Sequence, residues 1–215
     1  MNGQTKVVIG VVVLTALLIG GLVVFGSKTI PTKLGSITDG PAQVLRDYAP
    51  ALGASDQDAK VTIVEFADFQ CPACATTAPL LHELLDSESD VQLRFRHFPL
   101  DQHLNAETSA IAAEAANLQG KFWELFDMLF ERQADWSEAS NGEEIFEGYA
   151  VELGLDMDRF AVDRNDEVLH DHIRLDKGEA LELGVSGTPT LFINGEVYQG
   201  SRDLESLKAA VAAAR

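Results

Sequence analysis

The chain of 215 residues holds only two cysteines, three positions apart in Cys71-Pro72-Ala73-Cys74, directly after an apolar β-rich run and directly before a helical pattern. No other feature constrains the chain as tightly. A pair this close closes only a tiny ring and removes little chain entropy, so it is a poor structural staple. A secreted disulfide scaffold would carry several cysteines scattered along the sequence. Reactivity explains the pair better. A thiol at a helix N-terminus faces unpaired backbone N–H groups and the positive end of the dipole, which stabilise a thiolate. The thiolate is the competent nucleophile, which makes Cys71 the expected attacking or attacked sulfur. Pro72 suits the first turn because its missing N–H would be unpaired anyway. Cys74, nearly one turn on, is placed to close a ring with Cys71 and to release a trapped partner.

The flanking pattern predicts the elements around this pair. VTIVEFADF, Val61 to Phe69, reads as a buried strand. A helix is expected from Pro72 to about Asp86, and VQLRFRHFPL, Val91 to Leu100, alternates as a strand does. A long helical stretch follows from near His103 to roughly Asp163, its stripe Ile111, Ala115, Leu118, Phe122, Leu125, Phe126 and Leu129 reading as core packing. A further helix covers Glu167 to Leu183. TLFIN and EVYQG then read as strands joined at Asn194-Gly195, a type I′ hairpin signal, and a helix from about Asp203 to Ala214 ends the chain. The first strand–helix–strand unit implies parallel strands joined by a right-handed crossover.

Ahead of this lies an uncharged run, Val7 to Phe25, of nineteen residues. At about 1.5 Å per residue a helix of that length matches the bilayer hydrocarbon thickness. A cleaved signal peptide is the alternative, but its apolar region is usually shorter and no A-x-A-like site follows. The expected organisation is a tail at 1–6, a transmembrane anchor at 7–26, a linker at 27–58 with a short helix near Ala42–Tyr48, and a folded domain at 59–215. Lys6 precedes the span and Lys28 and Lys33 follow it, so the positive charges do not orient it. The thiol chemistry prefers the domain outside the cytoplasm. A net charge of -18 argues against nucleic acid as a partner, since a phosphate backbone would be repelled.

Two further places bear on the chemistry. Glu65, inside the apolar strand and six residues before Cys71, would be costly to bury unless protonated or paired, and could carry the proton when Cys74 attacks or leaves. The alternative is a solvated strand end. Asp68, nearer the cysteines, reads as an exposed or capping residue. The second place is Gly187-Thr188-Pro189-Thr190, a turn suited to a cis bond at Pro189. Were Thr188 beside Cys71, its backbone could pair with an extended substrate segment. A half zinc site is the rival for the cysteines, yet His82, His97, His103, His170 and His172 include no ligand pair at zinc-site spacing, and no metal is expected.

Together, VTIVEFADFQCPAC, FRHFPLDQHLNAETSAIAAEAANLQGKFWELFDMLF, GLDMDRF and LGVSGTPTLFINGEVYQG resemble the DsbA-like thiol–disulfide oxidoreductases, in their branch of single-anchor bacterial proteins. The resemblance spans about Val61 to Leu207. It implies an α/β, thioredoxin-like fold with an all-helical insertion (about 103–165), here preceded by one N-terminal transmembrane helix. It further implies that Cys71 is the nucleophile, Cys74 its buried partner, Glu65 the carboxylate beneath them and Pro189 the cis-proline. Pro72, Ala73 and Thr188 would face the substrate. The only redox group would be the Cys71–Cys74 disulfide, with no added cofactor. The implied activity is disulfide donation to cysteine-containing exported proteins, with re-oxidation by a quinone-linked membrane partner. Between the cysteines stands Pro-Ala rather than the histidine-bearing dipeptide of the best-known oxidase, and Thr188 is nearer to isomerase and reductase relatives. A membrane-anchored reductase or isomerase fed by an electron donor is therefore the alternative, and a non-catalytic binding or chaperone module the remote one.

Overall fold

The computed structural model describes residues 43–215. The expected tail at 1–6, the anchor at 7–26 and most of the linker lie outside the described residues, within which no helix is long and apolar enough to cross a membrane.

The centre is a sheet of five strands in the order β1-β3-β2-β4-β5. β2 (Val61–Ala67) and β3 (Val91–His97) run parallel, and α1 (Pro72–Ser87) forms the crossover that such a pair requires. β4 (Thr190–Ile193) lies antiparallel to β2, and β5 (Glu196–Val197) folds back on it. Asn194 and Gly195 take φ values of 48° and 86°, the positive pair that a type I′ turn needs. Between β3 and α7 (Glu167–Glu182) sits the insertion. The single stretch expected there is broken into α2 (Ala106–Asn117), α3 (Phe122–Glu131), α4 (Gln133–Trp136), α5 (Gly142–Glu152) and α6 (Met157–Asp163). Gly120 and Gly154, at φ 72° and 71°, make two of the breaks. α8 (Leu204–Ala213) follows β5.

Alternation along β2 explains the layers. Val61 and Ile63 pack with Leu81 and Leu84 of α1 and Leu207 and Val211 of α8. Val64 and Phe66 point the other way, onto Ala180 of α7, Val185 and Phe192. At the end of β2, Ala67 and Phe69 join the core of the insertion, with Phe95, Phe122, Phe126, Leu129 and Trp136.

The expected linker is partly a structural element. β1 (Ala51–Gly53) pairs antiparallel with β3, Phe95 donates its backbone N–H to the Pro50 carbonyl at 3.0 Å, and Trp123 Nε1 donates to the Ala51 carbonyl at 2.8 Å. The short helix expected near Ala42–Tyr48 is instead a turn at Asp47–Tyr48 over its described part. This segment covers the polar positions of β3, all seven of whose residues are buried. Arg94 Nη1 donates to the Ala49 carbonyl at 3.1 Å, while Arg96, wholly buried, donates to Asp176 at 2.7 Å and Glu179 at 2.8 Å on α7. Arg46 and the Gln43 backbone N–H also bind Glu179, closing a polar network beneath the sheet.

Candidate active site

β2 delivers the chain to Cys71, the N-cap of α1, whose backbone is extended at φ -74° and ψ 121°. The Cys71 carbonyl accepts the first helical bonds, from Cys74 N at 3.0 Å and Ala75 N at 3.1 Å. Its sulfur is thereby set at the open, positive end of a sixteen-residue helix. Pro72 is exposed and Ala73 half-buried, so the surface around Cys71 is small and neutral. Pro79 within α1 leaves the Ala75 carbonyl without its usual helical donor.

The two thiols are strongly differentiated. Hydrogen bonding from the Cys74 thiol, assisted by Thr188 and the N–H groups of Ala73 and Cys74, outweighs partial burial and brings Cys71 from 9.0 down to about 5. Cys74 is fully buried. Desolvation first, then its bond to Cys71 and the nearby Glu65 charge, push it far up, against the pull of the Asp68 backbone N–H. At neutral pH the pair thus holds an outer thiolate and an inner thiol.

Glu65 lies mid-strand, opposite Phe95 on β3 and Leu191 on β4, with no exposed surface. Both carboxyl oxygens are buried without a hydrogen-bond partner, which removes the solvated-strand-end alternative. Burial, with a smaller effect of Cys71, raises it from 4.5 to about 8. It is thus protonated at neutral pH and close enough to ionisation to exchange a proton.

The loop before β4 reaches over the pair. The Thr188–Pro189 peptide is cis, and in its thiol form Cys71 donates to the Thr188 carbonyl at 3.5 Å. Pro189 is buried, and Arg202 Nη1 donates to its carbonyl at 3.0 Å.

Asp68 departs from the exposed position expected of it. It is buried, and its carboxylate accepts from Gln70 N at 2.7 Å, Leu100 N at 2.9 Å and His103 Nδ1 at 2.7 Å. A carboxylate so supplied with donors stabilises the bend between β2 and Cys71. The other histidines are dispersed. His97 bonds Glu114 at 2.9 Å, His82 stacks on Phe126, His172 stacks on Tyr48 and His170 contacts the Arg164 carbonyl. Among the described residues no three metal-ligating side chains converge.

Two residues at this site carry no signal in the sequence. Gln133, at the start of α4, donates its side-chain amide to the Phe69 carbonyl at 2.7 Å and the Cys71 carbonyl at 3.1 Å. Gln70 answers from the loop before α1, donating to the Ser137 carbonyl and accepting from Asn105 N, each at 2.6 Å. Gln70 adjoins Cys71 in sequence, but its bonds to the insertion, like the approach of Gln133 from a helical stretch, exist only once the insertion has folded.

Comparison with known proteins places this geometry. A relative from Salinispora arenicola, named Na(+)/H(+) antiporter NhaA 1, is 42% identical over 159 residues. The match covers 74% of this chain but 24% of that protein, so the chain spans about a quarter of the length of the curated relatives it matches. Among solved structures, a thioredoxin-like oxidoreductase from Silicibacter pomeroyi is 29% identical with a TM-score of 0.66, over 78% of this chain and 92% of its own. The alpha-DsbA1 protein of Wolbachia pipientis shares the fold at a TM-score of 0.67 and 22% identity, over 79% of this chain and 92% of its own. The family model described as Thioredoxin matches residues 48–213, the whole sheet and its insertion. On that match and this fold, the chain belongs to the thioredoxin family and has the DsbA-like form of its fold.

Proposed function

We propose that this protein is a thiol–disulfide oxidoreductase whose Cys71–Cys74 disulfide is donated to exported proteins. The observation that carries this reading is the contrast between the sulfurs: Cys71, at the helix N-terminus with 7% of its surface exposed, is held at about 5, whereas Cys74, with none exposed, is pushed up. A stabilised Cys71 thiolate favours the reduced enzyme and so makes the disulfide a better oxidant. In the reaction, a partner thiolate attacks the Cys71 sulfur and the Cys71–Cys74 bond breaks. Cys74 leaves as a thiolate and takes a proton from Glu65. A second partner thiolate then attacks the partner sulfur of the mixed disulfide, expelling the Cys71 thiolate. One electron pair passes from partner to enzyme. Pro72, Ala73 and the Thr188 backbone form the face against which an extended segment would lie, in the manner of strand addition.

The run Val7–Phe25 supports a single-pass anchor; the thiol chemistry favours the domain outside the cytoplasm, and the family resemblance a quinone-linked re-oxidant. The occurrence of the same domain within proteins named as Na(+)/H(+) antiporters agrees with work at a membrane surface. Thr188 before Pro189 favours a second reading, the same couple kept reduced by a membrane electron donor and used for reduction or isomerisation.

The test is the equilibrium reduction potential of the pair against a glutathione series. A value near -120 mV, as in strong periplasmic oxidants, supports donation. A value near roughly -270 mV, as in thioredoxin, assigns the protein to reduction instead. Undiminished activity after replacing both cysteines would leave only a binding or chaperone role.

A further inference from the structure

We infer that Gln133, contributed by the helical insertion, is a positioning residue that sets the reactivity of Cys71. This deepens the exchange reading above and rests on it. One carboxamide nitrogen donates to the two carbonyls that bracket the approach to the nucleophile, Phe69 at 2.7 Å and Cys71 at 3.1 Å. The Cys71 carbonyl already accepts from Cys74 N and Ala75 N, so Gln133 is its third donor. These three donors fix the peptide that carries the reactive sulfur and bring positive dipole ends to it.

The contact is built rather than incidental. Gln133 opens α4, directly after Arg132, the residue that ends α3 and caps α4. Asn105 donates to the carbonyls of Trp136 and Ala139, both at 2.9 Å, holding the segment that follows. Trp136 is fully buried and its indole N–H donates to the Leu129 carbonyl at 2.9 Å. Gln70 binds the same segment from the opposite side, through Ser137. The insertion and the loop before α1 therefore exchange glutamine side chains, and only that of Gln133 touches the nucleophile's own peptide. The physical consequence concerns one redox state more than the other. Donor dipoles near Cys71 stabilise its thiolate in the reduced protein but have no charge to stabilise in the disulfide. Removing them should weaken the thiolate and make the pair less oxidising.

The experiment uses full-length protein and two neutral variants, Gln133→Met, which keeps the length without donors, and Gln133→Ala, which serves if the first misfolds. Three quantities are read: the Cys71 thiolate titration by ultraviolet absorbance, the equilibrium with glutathione, and the Tm of oxidised and reduced forms. The expected result is an upward shift of the Cys71 titration and a roughly three- to tenfold fall in the equilibrium constant, about 15 to 30 mV toward reducing values. The reduced form loses more Tm than the oxidised form. A merely structural contact would lower both forms equally and leave titration and potential where they were, and that outcome overturns the inference. Absence of any reversible Cys71–Cys74 couple in the parent protein would overturn the exchange reading, and this inference with it.

Discussion

Cys71 and Glu65 are shifted in opposite directions although they belong to one site, because hydrogen bonds stabilise the Cys71 thiolate while burial desolvates the Glu65 carboxylate. Cys71, held at about 5, should show a thiolate midpoint near that value, far below an ordinary thiol. Replacing Cys74 by Ala should leave a mixed disulfide trapped at Cys71, detectable by mass, whereas Cys71→Ala should capture nothing. For Glu65 the folded value is raised from 4.5 to about 8, so the folded state holds a proton that the unfolded state has released between those values. Stability contributed by the protonated form is complete below about 4.5 and declines as pH rises toward about 8. Glu65→Gln should therefore be more stable than the parent at pH 7, by about 3 kcal/mol, with the difference vanishing near pH 4. Denaturant midpoints across that range check it. The same variant should slow disulfide reduction by a partner thiol, since Cys74 loses its proton source.

Among the elements, β3 departs furthest from what its pattern suggests. Gln92, Arg94 and Arg96 alternate with apolar residues as if along a half-solvated strand, yet all are buried. Their cover comes from residues far away in sequence: Asp176 and Glu179 on α7, and the segment before β2. Removing one member of a buried ionic network strands the rest, at a cost of about 3–5 kcal/mol. Asp176→Ala should lower the denaturant midpoint by that order and leave the Cys71 titration unchanged, because the network lies on the other side of the sheet from α1. β1 makes a related point. It is three residues of ALG with no β-branched side chain, and it is a strand only because β3 offers a free edge. A chain starting at Ala59 should unfold at lower denaturant than one retaining residues 43–58.

At the scale of the whole molecule, the redox state should set the stability. The depressed Cys71 value means that ionisation stabilises the reduced fold above the ordinary thiol range and that this contribution is lost as pH falls through about 5. The reduced protein should accordingly melt above the oxidised protein at pH 7, with this contribution to the gap shrinking as pH falls toward 5 and gone below it. A reduced form that melts lower at pH 7 would count against disulfide donation. The gap is a property of the assembled layers, since β2, α1 and the Thr188–Pro189 loop all meet at one sulfur.

Whatever depends on near neighbours is legible along the chain. The Cys71–Cys74 spacing at a strand-to-helix junction, the periods of β2, β3, α1 and α7, and the Asn194-Gly195 turn are all written within a few residues of where they act. The charge of -18 and the paired cysteines likewise belong to composition and spacing. Folding added what depends on residues distant along the chain. It buried Asp68 and gave it His103, brought Gln133 to the Cys71 carbonyl, left Glu65 without a partner and made β1 a strand. Burial and hydrogen-bond partners are created when layers pack, and no periodicity records them. The cysteines could thus be found by reading, but the split between an outer thiolate and an inner thiol arises from the fold that surrounds them.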